Sequence, residues 1–175
     1  MATLKVPVTH KDHIQGNEKA WITLVEYGDY ECPFCGMAYP IVKQLQTHFG
    51  EQLRFVFRNF PLSEMHPYAE PAAEAAEFAA DSDLFWQIHD LIYENQEDLS
   101  IPLLLELGES LGLSAEDIAE AIENKAYAKK IHDDFLSGVR SGVNGTPTFF
   151  INDRRYNGPF EFEEMVSAIE AVSVG

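Results

Sequence analysis

The chain has 175 residues, 46% of them apolar, and carries 12 basic against 29 acidic side chains, for a net charge of −17. Such an acidic surface repels nucleic acid and anionic lipid over any distance that salt leaves unscreened, so we expect neither as a partner. No apolar run approaches the roughly 20 residues of a membrane span, and residues 1–20 lack the apolar stretch of a secretory signal. These features predict a cytoplasmic protein with one core of ordinary size.

The first part of the sequence predicts a strand, a helix and a second strand. Residues Trp21–Tyr27 are β-branched and apolar on both faces, which suits a central strand. A helix is predicted from Pro33, because apolar residues then recur at helical spacing until Gly50 supplies a stop. Residues 52–62 predict the second strand.

From His66 the pattern changes to helix and stays helical through residue 142. Ser114 followed by Asp117 predicts the start of one of these helices. The remaining residues predict a hairpin around Asn152-Asp153 and a final helix. Helices between early and late strands are typical of an insertion into an α/β unit.

Both cysteines of the chain lie in the sequence CPFC, with Cys32 just before the predicted helix and Cys35 one turn inside it. A thiolate at the cap position faces free backbone N–H groups and the positive end of the helix dipole. These lower a thiol pKa from ~8.5 toward ~3.5–7.5. The position predicts Cys32 as the exposed attacking sulfur and Cys35 as the shielded resolving sulfur.

A metal site and a purely structural disulfide explain the cysteine pair less well than a redox-active pair does. Structural zinc usually takes four ligands, and the chain has no second cysteine pair and no His-x₃₋₅-His spacing. A disulfide across so few residues would restrain the unfolded chain little. No glycine-rich nucleotide loop follows the first strand, so we expect no metal and no organic cofactor.

The sequence resembles the thioredoxin superfamily, and its DsbA branch in particular. The resemblance rests on VEYGDYECPFCG, on a helical block, and on GVNGTPTFFIN before a closing hairpin and helix. It implies an α/β thioredoxin fold with a helical insertion and a four-stranded mixed sheet. The predicted division is an N-terminal extension over 1–20, a thioredoxin-fold domain over 21–62 and 143–175, and an inserted helical subdomain over 63–142.

The resemblance implies catalytic roles for four positions. Cys32 and Cys35 match the nucleophile and its partner, and Pro147 matches the family's cis-proline beside the sulfurs; an ordinary strand-edge proline is the alternative. Glu26 matches the family's buried acid, which would pass protons to and from Cys35 through a water. The alternative for Glu26 is a glutamate that emerges at a strand end.

Residues around the cysteines are predicted to contact substrate. The predicted substrate-binding residues are Pro33, Phe34, Thr146 and Tyr30. Tyr27 and Phe60 would complete an apolar rim, although aromatic residues at such positions are more often core. The Thr146-Pro147 bond would present backbone polar groups to an extended substrate segment.

The sequence departs from the most oxidising members of the DsbA branch at Phe34. Those members have a histidine at this position, which can donate a hydrogen bond or a positive charge to the thiolate, whereas phenylalanine can do neither. Asp29 and Glu31 add negative charge beside the site, which disfavours another anion. We therefore expect a less oxidising pair than the strongest of the family.

Together these features predict a thiol-disulfide oxidoreductase that acts on protein or small-molecule thiols and disulfides. The expected direction is reductase-like or isomerase-like, with glutathione or a thioredoxin-type system recharging the dithiol. One alternative is a non-catalytic redox-sensing or partner-binding module. Another is a glutathione-dependent isomerase or transferase of the DsbA-like branch, against which the retention of Cys35 argues.

Overall fold

A five-stranded mixed sheet forms the centre of the computed structural model, which describes residues 2–174. Strands β2 and β3 are parallel, and the other neighbouring pairs are antiparallel. Met1 and Gly175, the outermost residues of the predicted segments, lie outside the described residues. In the sheet order β1-β3-β2-β4-β5, the strands are β1 (His13–Gly16), β3 (Leu53–Asn59), β2 (Ile22–Gly28), β4 (Thr148–Ile151) and β5 (Arg154–Tyr156).

Helices α1 (Pro33–Phe49) and α7 (Phe162–Val174) belong to the sheet-forming parts of the chain, and five further helices separate β3 from β4. The predicted α/β fold with a helical insertion is therefore confirmed. Among residues 2–174, no helix combines the length and apolar composition needed to cross a bilayer. The inserted helices are α2 (Ala69–Ala80), α3 (Phe85–Glu94), α4 (Ile101–Ser110), α5 (Ala115–Asn124) and α6 (Ala128–Arg140).

Local sequence signals account for several helix ends. Ser114 precedes α5, and its Oγ accepts a hydrogen bond from the Asp117 N–H at 3.1 Å. This contact satisfies one of the free N–H groups at the helix start. Gly112, just after α4, has a φ of +83°, which favours glycine and ends the preceding helix.

The two faces of the sheet bury separate apolar clusters. Ile22 and Leu24 of β2 belong to the larger cluster, which also contains residues of α1, the inserted helices and α7. Val25 and Tyr27 belong to the smaller cluster on the other face. Since side chains alternate along a strand, Glu26 lies on the same face as the larger cluster. That cluster also contains both cysteines.

The N-terminal segment adds a strand that the sequence did not predict. Strand β1 pairs antiparallel with β3, placing His13 opposite Phe57. Nearer the terminus, Thr3 forms a bridge with Arg154, and Leu4 is buried. The expected four-stranded sheet is therefore wrong: with β1 included, the sheet has five strands.

Candidate active site

The CPFC turn joins the end of β2 to the start of α1. Strand β2 ends at Gly28, and Cys32 is the N-cap residue of α1, with φ −67° and ψ 121°. Pro33 begins the helix, where a missing N–H leaves no donor unsatisfied. The Gly36 N–H donates to Cys32 O at 3.1 Å. Both cysteines are free thiols.

The buried carboxylate of Asp29 holds this turn in place. Its Oδ1 accepts the N–H of Glu31 at 2.7 Å and of Cys32 at 3.2 Å. Its Oδ2 accepts the N–H of Leu62 at 2.9 Å and lies 2.8 Å from His66 Nδ1. Partial burial works against a charged His66, yet its hydrogen bond to Asp29 and nearby negative charges raise its pKa. We expected the negative charge of Asp29 to oppose a thiolate, but its carboxylate is stabilised by four hydrogen-bond donors.

The surroundings of Cys32 favour its thiolate. The pKa of Cys32 is lowered from 9.0 to about 5, first by a hydrogen bond from the Cys35 side chain. Burial opposes the lowering, while Thr146 and the N–H groups of Cys35 and Phe34 add to it. As a thiol, Cys32 Sγ donates to Thr146 O at 3.6 Å. The buried Thr146 Oγ1 has no hydrogen-bond partner among the described residues, which leaves it free to donate to a thiolate.

Cys35 lies in surroundings that favour the neutral thiol. Burial is the largest cause of its strongly raised pKa, followed by its hydrogen bond to Cys32 and the negative charges of Glu26 and Cys32. The N–H of Asp29, 3.5 Å from Cys35 Sγ, opposes this shift only weakly. At neutral pH, Cys32 therefore carries the negative charge and Cys35 keeps its proton, which suits the predicted attacking and resolving roles.

Neither sulfur is exposed, so the expectation of an exposed Cys32 is wrong. Cys32 is 4% exposed and Cys35 0%. The loop before β4 covers Cys32, since Thr146 O contacts its sulfur. The two cysteines therefore differ less in exposure than in the groups that surround them.

Glu26 lies in the core, on the face of the sheet that carries the cysteines. Its side chain is buried, and Oε2 has no hydrogen-bond partner within residues 2–174. Burial, and then the negative charge of Cys32, raise the pKa of Glu26 to about 8. This position matches the buried acid that the resemblance implied. The part of Glu26 in proton transfer stays a prediction.

The loop before β4 brings Thr146 and Pro147 to the CPFC turn. Thr148, the first residue of β4, lies opposite Tyr27 near the end of β2, so the preceding residues reach the same edge of the sheet as Cys32. The Thr146-Pro147 peptide bond is cis. Both residues are half-buried, and Thr146 O contacts the Cys32 sulfur, so substrate binding by Thr146 stays a prediction.

Comparison with known proteins places the chain in a family. A family model described as thioredoxin matches residues 8–171. The chain belongs to the thioredoxin family. BdbD from Bacillus subtilis, solved in its oxidised form, is 26% identical, with a TM-score of 0.88 over 99% of both chains. Alpha-DsbA1 from Wolbachia pipientis shares the fold at 18% identity, with a TM-score of 0.82 over 96% of this chain and 93% of that one.

Curated relatives of this thioredoxin-family chain are much longer. The Na⁺/H⁺ antiporter NhaA 1 of Salinispora arenicola is 42% identical over 98% of this chain, but the match covers only 26% of that protein. The chain thus spans about a quarter of the length of the curated relatives it matches, and their name describes those whole proteins. The comparisons thus establish the family and the fold of this chain, which also carries the free Cys32-Cys35 pair.

The thioredoxin-family site exposes only some of the predicted substrate-binding residues. Pro33 is exposed, and Phe34 is 60% exposed beside Cys32. Tyr30 is 1% exposed, and its hydroxyl lies 2.8 Å from His89 Nδ1, so the prediction that it binds substrate is wrong. Its ring packs between the sheet and α3, which no local pattern indicated. The other two predicted rim residues, Tyr27 and Phe60, are also buried.

Two residues that support the site were missed by the sequence analysis. Gln96 Nε2 donates to Tyr30 O at 2.9 Å and to Cys32 O at 2.8 Å, which ties the inserted helices to the CPFC turn. No sequence signal could have shown a contact over this separation. Met37 is 60% exposed, one turn after Phe34. Two exposed apolar residues at helical spacing were a signal that the sequence did contain.

Two histidines near the site each lie within hydrogen-bond distance of a polar side chain. His66 pairs with Asp29, and His89 lies beside the Tyr30 hydroxyl. Within residues 2–174, no three side chains of His, Cys, Asp or Glu are grouped closely enough to hold a metal ion.

Proposed function

We propose that this protein reduces or rearranges the disulfides of protein or low-molecular-weight substrates in the cytoplasm. The observation that carries the proposal is the pair of opposite pKa shifts within one helical turn, down to about 5 at Cys32 and strongly upward at Cys35. A thiolate is the form that attacks disulfides, and a protonated partner waits until the first bond has formed.

In the proposed cycle, the Cys32 thiolate attacks one sulfur of the substrate disulfide. A Cys32-substrate bond forms, the substrate S–S bond breaks, and the other substrate sulfur leaves as a thiolate that takes up a proton. Cys35 then passes its proton to the carboxylate form of Glu26, directly or through a water, and attacks the sulfur of Cys32. The Cys32-Cys35 bond forms, the Cys32-substrate bond breaks, and the second substrate sulfur leaves as a thiolate that takes up a proton from water. Two electrons have then moved from the dithiol to the substrate.

The direction follows from how strongly the thiolate is favoured. The pKa of about 5 at Cys32 lies between the ~7 of thioredoxin and the ~3.5 of DsbA. A better stabilised thiolate stabilises the reduced pair and makes its disulfide more oxidising. We therefore propose a reduction potential between thioredoxin's ~−270 mV and DsbA's ~−120 mV, near the ~−180 mV of disulfide isomerases.

The potential is tested by equilibrating the protein against graded glutathione buffers and counting free thiols. We expect a value between ~−270 mV and ~−120 mV, nearer to ~−180 mV than to either limit. A value near ~−120 mV would mean an oxidase and would contradict the proposed direction. A value near ~−270 mV would mean a dedicated reductant; it would leave reduction in place and contradict only the potential inferred from the Cys32 thiolate.

For recharging, we propose glutathione or a thioredoxin-type system. A cytoplasmic glutathione pool at ~−220 to −260 mV would keep a pair near ~−180 mV largely reduced, so electrons would flow from the pool to the substrate. Rapid thiol trapping in cells that make the protein naturally should find Cys32 and Cys35 reduced in the cytoplasmic fraction. An oxidised, exported protein would refute this part of the proposal.

Substitution of each cysteine separates the proposed function from the alternatives. Cys35→Ser should react once and stop as a mixed disulfide through Cys32, whereas Cys32→Ser should not react. A glutathione-dependent isomerase should keep turning over as Cys35→Ser. A redox-sensing module should show no turnover with any disulfide even in the unsubstituted chain.

A further inference from the structure

A groove of about 710 Å³ opens beside the CPFC turn. One wall comes from the turn and the start of α1, and the other from the end of α3 and the residues that follow it. We call it the acidic groove. The side chains that give it its chemistry are Glu31, Pro33, Met37, Glu94, Glu97 and Asp98.

The far wall of the acidic groove is fixed to the nucleophile. Gln96, in that wall, donates hydrogen bonds from Nε2 to the carbonyl oxygens of Tyr30 and Cys32. Its amide packs so closely on Gly36 that a methyl group there would overlap it. A segment held in the groove therefore keeps a set position relative to the Cys32 sulfur.

The acidic groove combines apolar contact with negative charge. Met37 is 60% exposed within it, while Glu94, Glu97 and Asp98 are exposed on the opposite wall. No lysine, arginine or histidine is among the side chains that line it. A second groove, of about 590 Å³, lies between the loop after β3 and α6. Its lining includes the basic residues Lys125 and His132 as well as acidic ones. Uniform negative charge therefore distinguishes the groove beside Cys32.

We propose that the acidic groove binds a cationic, partly apolar segment next to the disulfide of a protein substrate. This proposal rests on the proposed function, because it names the substrates that the Cys32-Cys35 pair prefers. Lysine or arginine side chains of the segment would pair with the exposed carboxylates of Glu94, Glu97 and Asp98, and its apolar residues would pack on Met37 and Pro33. An acidic segment would be repelled by the same carboxylates.

The test is a single-turnover reaction of the reduced protein with cystine peptides that differ only in charge. Lysines flank leucines and the disulfide in one peptide, and glutamates replace the lysines in the other. The groove variant is Glu94→Lys with Glu97→Lys. The control, Glu64→Lys with Glu120→Lys, makes the same change in net charge at exposed positions outside the acidic groove. Each rate is divided by the same protein's rate with hydroxyethyl disulfide, a small neutral substrate.

We expect the cationic peptide to react at least ~10-fold faster than the anionic one, in line with electrostatically steered association. The preference should shrink at ~1 M salt, where the screening length is ~3 Å. It should disappear in the groove variant and persist in the control. Equal rates for the two peptides, or a preference that both variants lose equally to net charge alone, would overturn the proposal. Failure to react with hydroxyethyl disulfide would instead refute the proposed function.

Discussion

The CPFC turn lies between two regions that have opposite effects on a negative charge: one stabilises it and the other disfavours it. On the side of the loop before β4, Cys32 is surrounded by hydrogen-bond donors that lower its pKa to about 5. On the core side, Cys35 and Glu26 lie among apolar residues, and burial raises the pKa of both. Both regions are nearly inaccessible to water. The comparison teaches that hydrogen-bond donors around Cys32 and burial around Cys35 together decide which sulfur of the pair attacks.

The largest effect is expected from removing the Asp29 carboxylate, which positions the CPFC turn between the two regions. Asp29→Ala removes the side-chain acceptor of the partly buried N–H groups of Glu31 and Leu62, and one of the two acceptors of the Cys32 N–H. Since each buried group left unpaired costs about 1–3 kcal/mol, the free energy of unfolding should fall by about 3–5 kcal/mol. Urea unfolding of the reduced protein measures this.

Asp29→Asn is the matched control, because it keeps one acceptor oxygen and should lose about half as much stability. Disulfide exchange should slow in both variants as the donors around Cys32 lose their positions. Unchanged unfolding midpoints in Asp29→Ala would show that the turn is held by other contacts.

Glu26→Gln replaces the ionisable side chain on the core side. It should separate two opposing effects of pH on the free energy of unfolding, one from Glu26 and one from Cys32. Glu26 has a pKa of about 8 when folded and ~4.5 when unfolded, so its contribution to stability falls as pH rises between these values. The lowered pKa of Cys32 does the reverse: stability is lost as pH falls toward about 5. In the unsubstituted reduced protein the two slopes oppose each other.

The reduced Glu26→Gln protein should therefore be more stable than the unsubstituted protein by about 3 kcal/mol at pH 7. Its stability should also rise with pH between 5 and 8, as unfolding at a series of pH values would show. Glu120→Gln, at an exposed position, should leave the pH dependence as it is. Mixed disulfides should also resolve more slowly in Glu26→Gln. An unchanged pH profile would mean that Glu26 is not buried as an acid.

Phe34→His would sharpen the difference by adding a donor on the side of Cys32. An imidazolium at this exposed position can donate to the thiolate, so the Cys32 pKa should fall by roughly one unit. The pair should become about 30 mV more oxidising, equivalent to about tenfold in the glutathione equilibrium. Phe34→Leu, which adds no donor, should stay at the original potential. Equal potentials in the two variants would show that position 34 does not reach the thiolate.

Local signals predicted much of this molecule. Pro33 and the helix start indicated the roles of the cysteines, and alternation along β2 placed Glu26 on the correct face. The contacts that were missed join distant segments. Strand β1 is only four residues, without a buried stripe, and its partner β3 lies far along the chain. Tyr30 is buried because residues of the inserted helices pack against it, among them His89, whose Nδ1 lies 2.8 Å from the Tyr30 hydroxyl.

The most direct test is a pH titration of thiolate absorbance in the reduced protein, with alkylation and mass spectrometry to assign the sulfur. Unsubstituted protein and Cys35→Ser should be compared, because the Cys35 side chain is the largest contributor to the low Cys32 pKa. We predict one thiolate, on Cys32, with a midpoint near 5 that moves upward in Cys35→Ser. A midpoint near the ordinary ~8.5, or a thiolate on Cys35, would contradict the account.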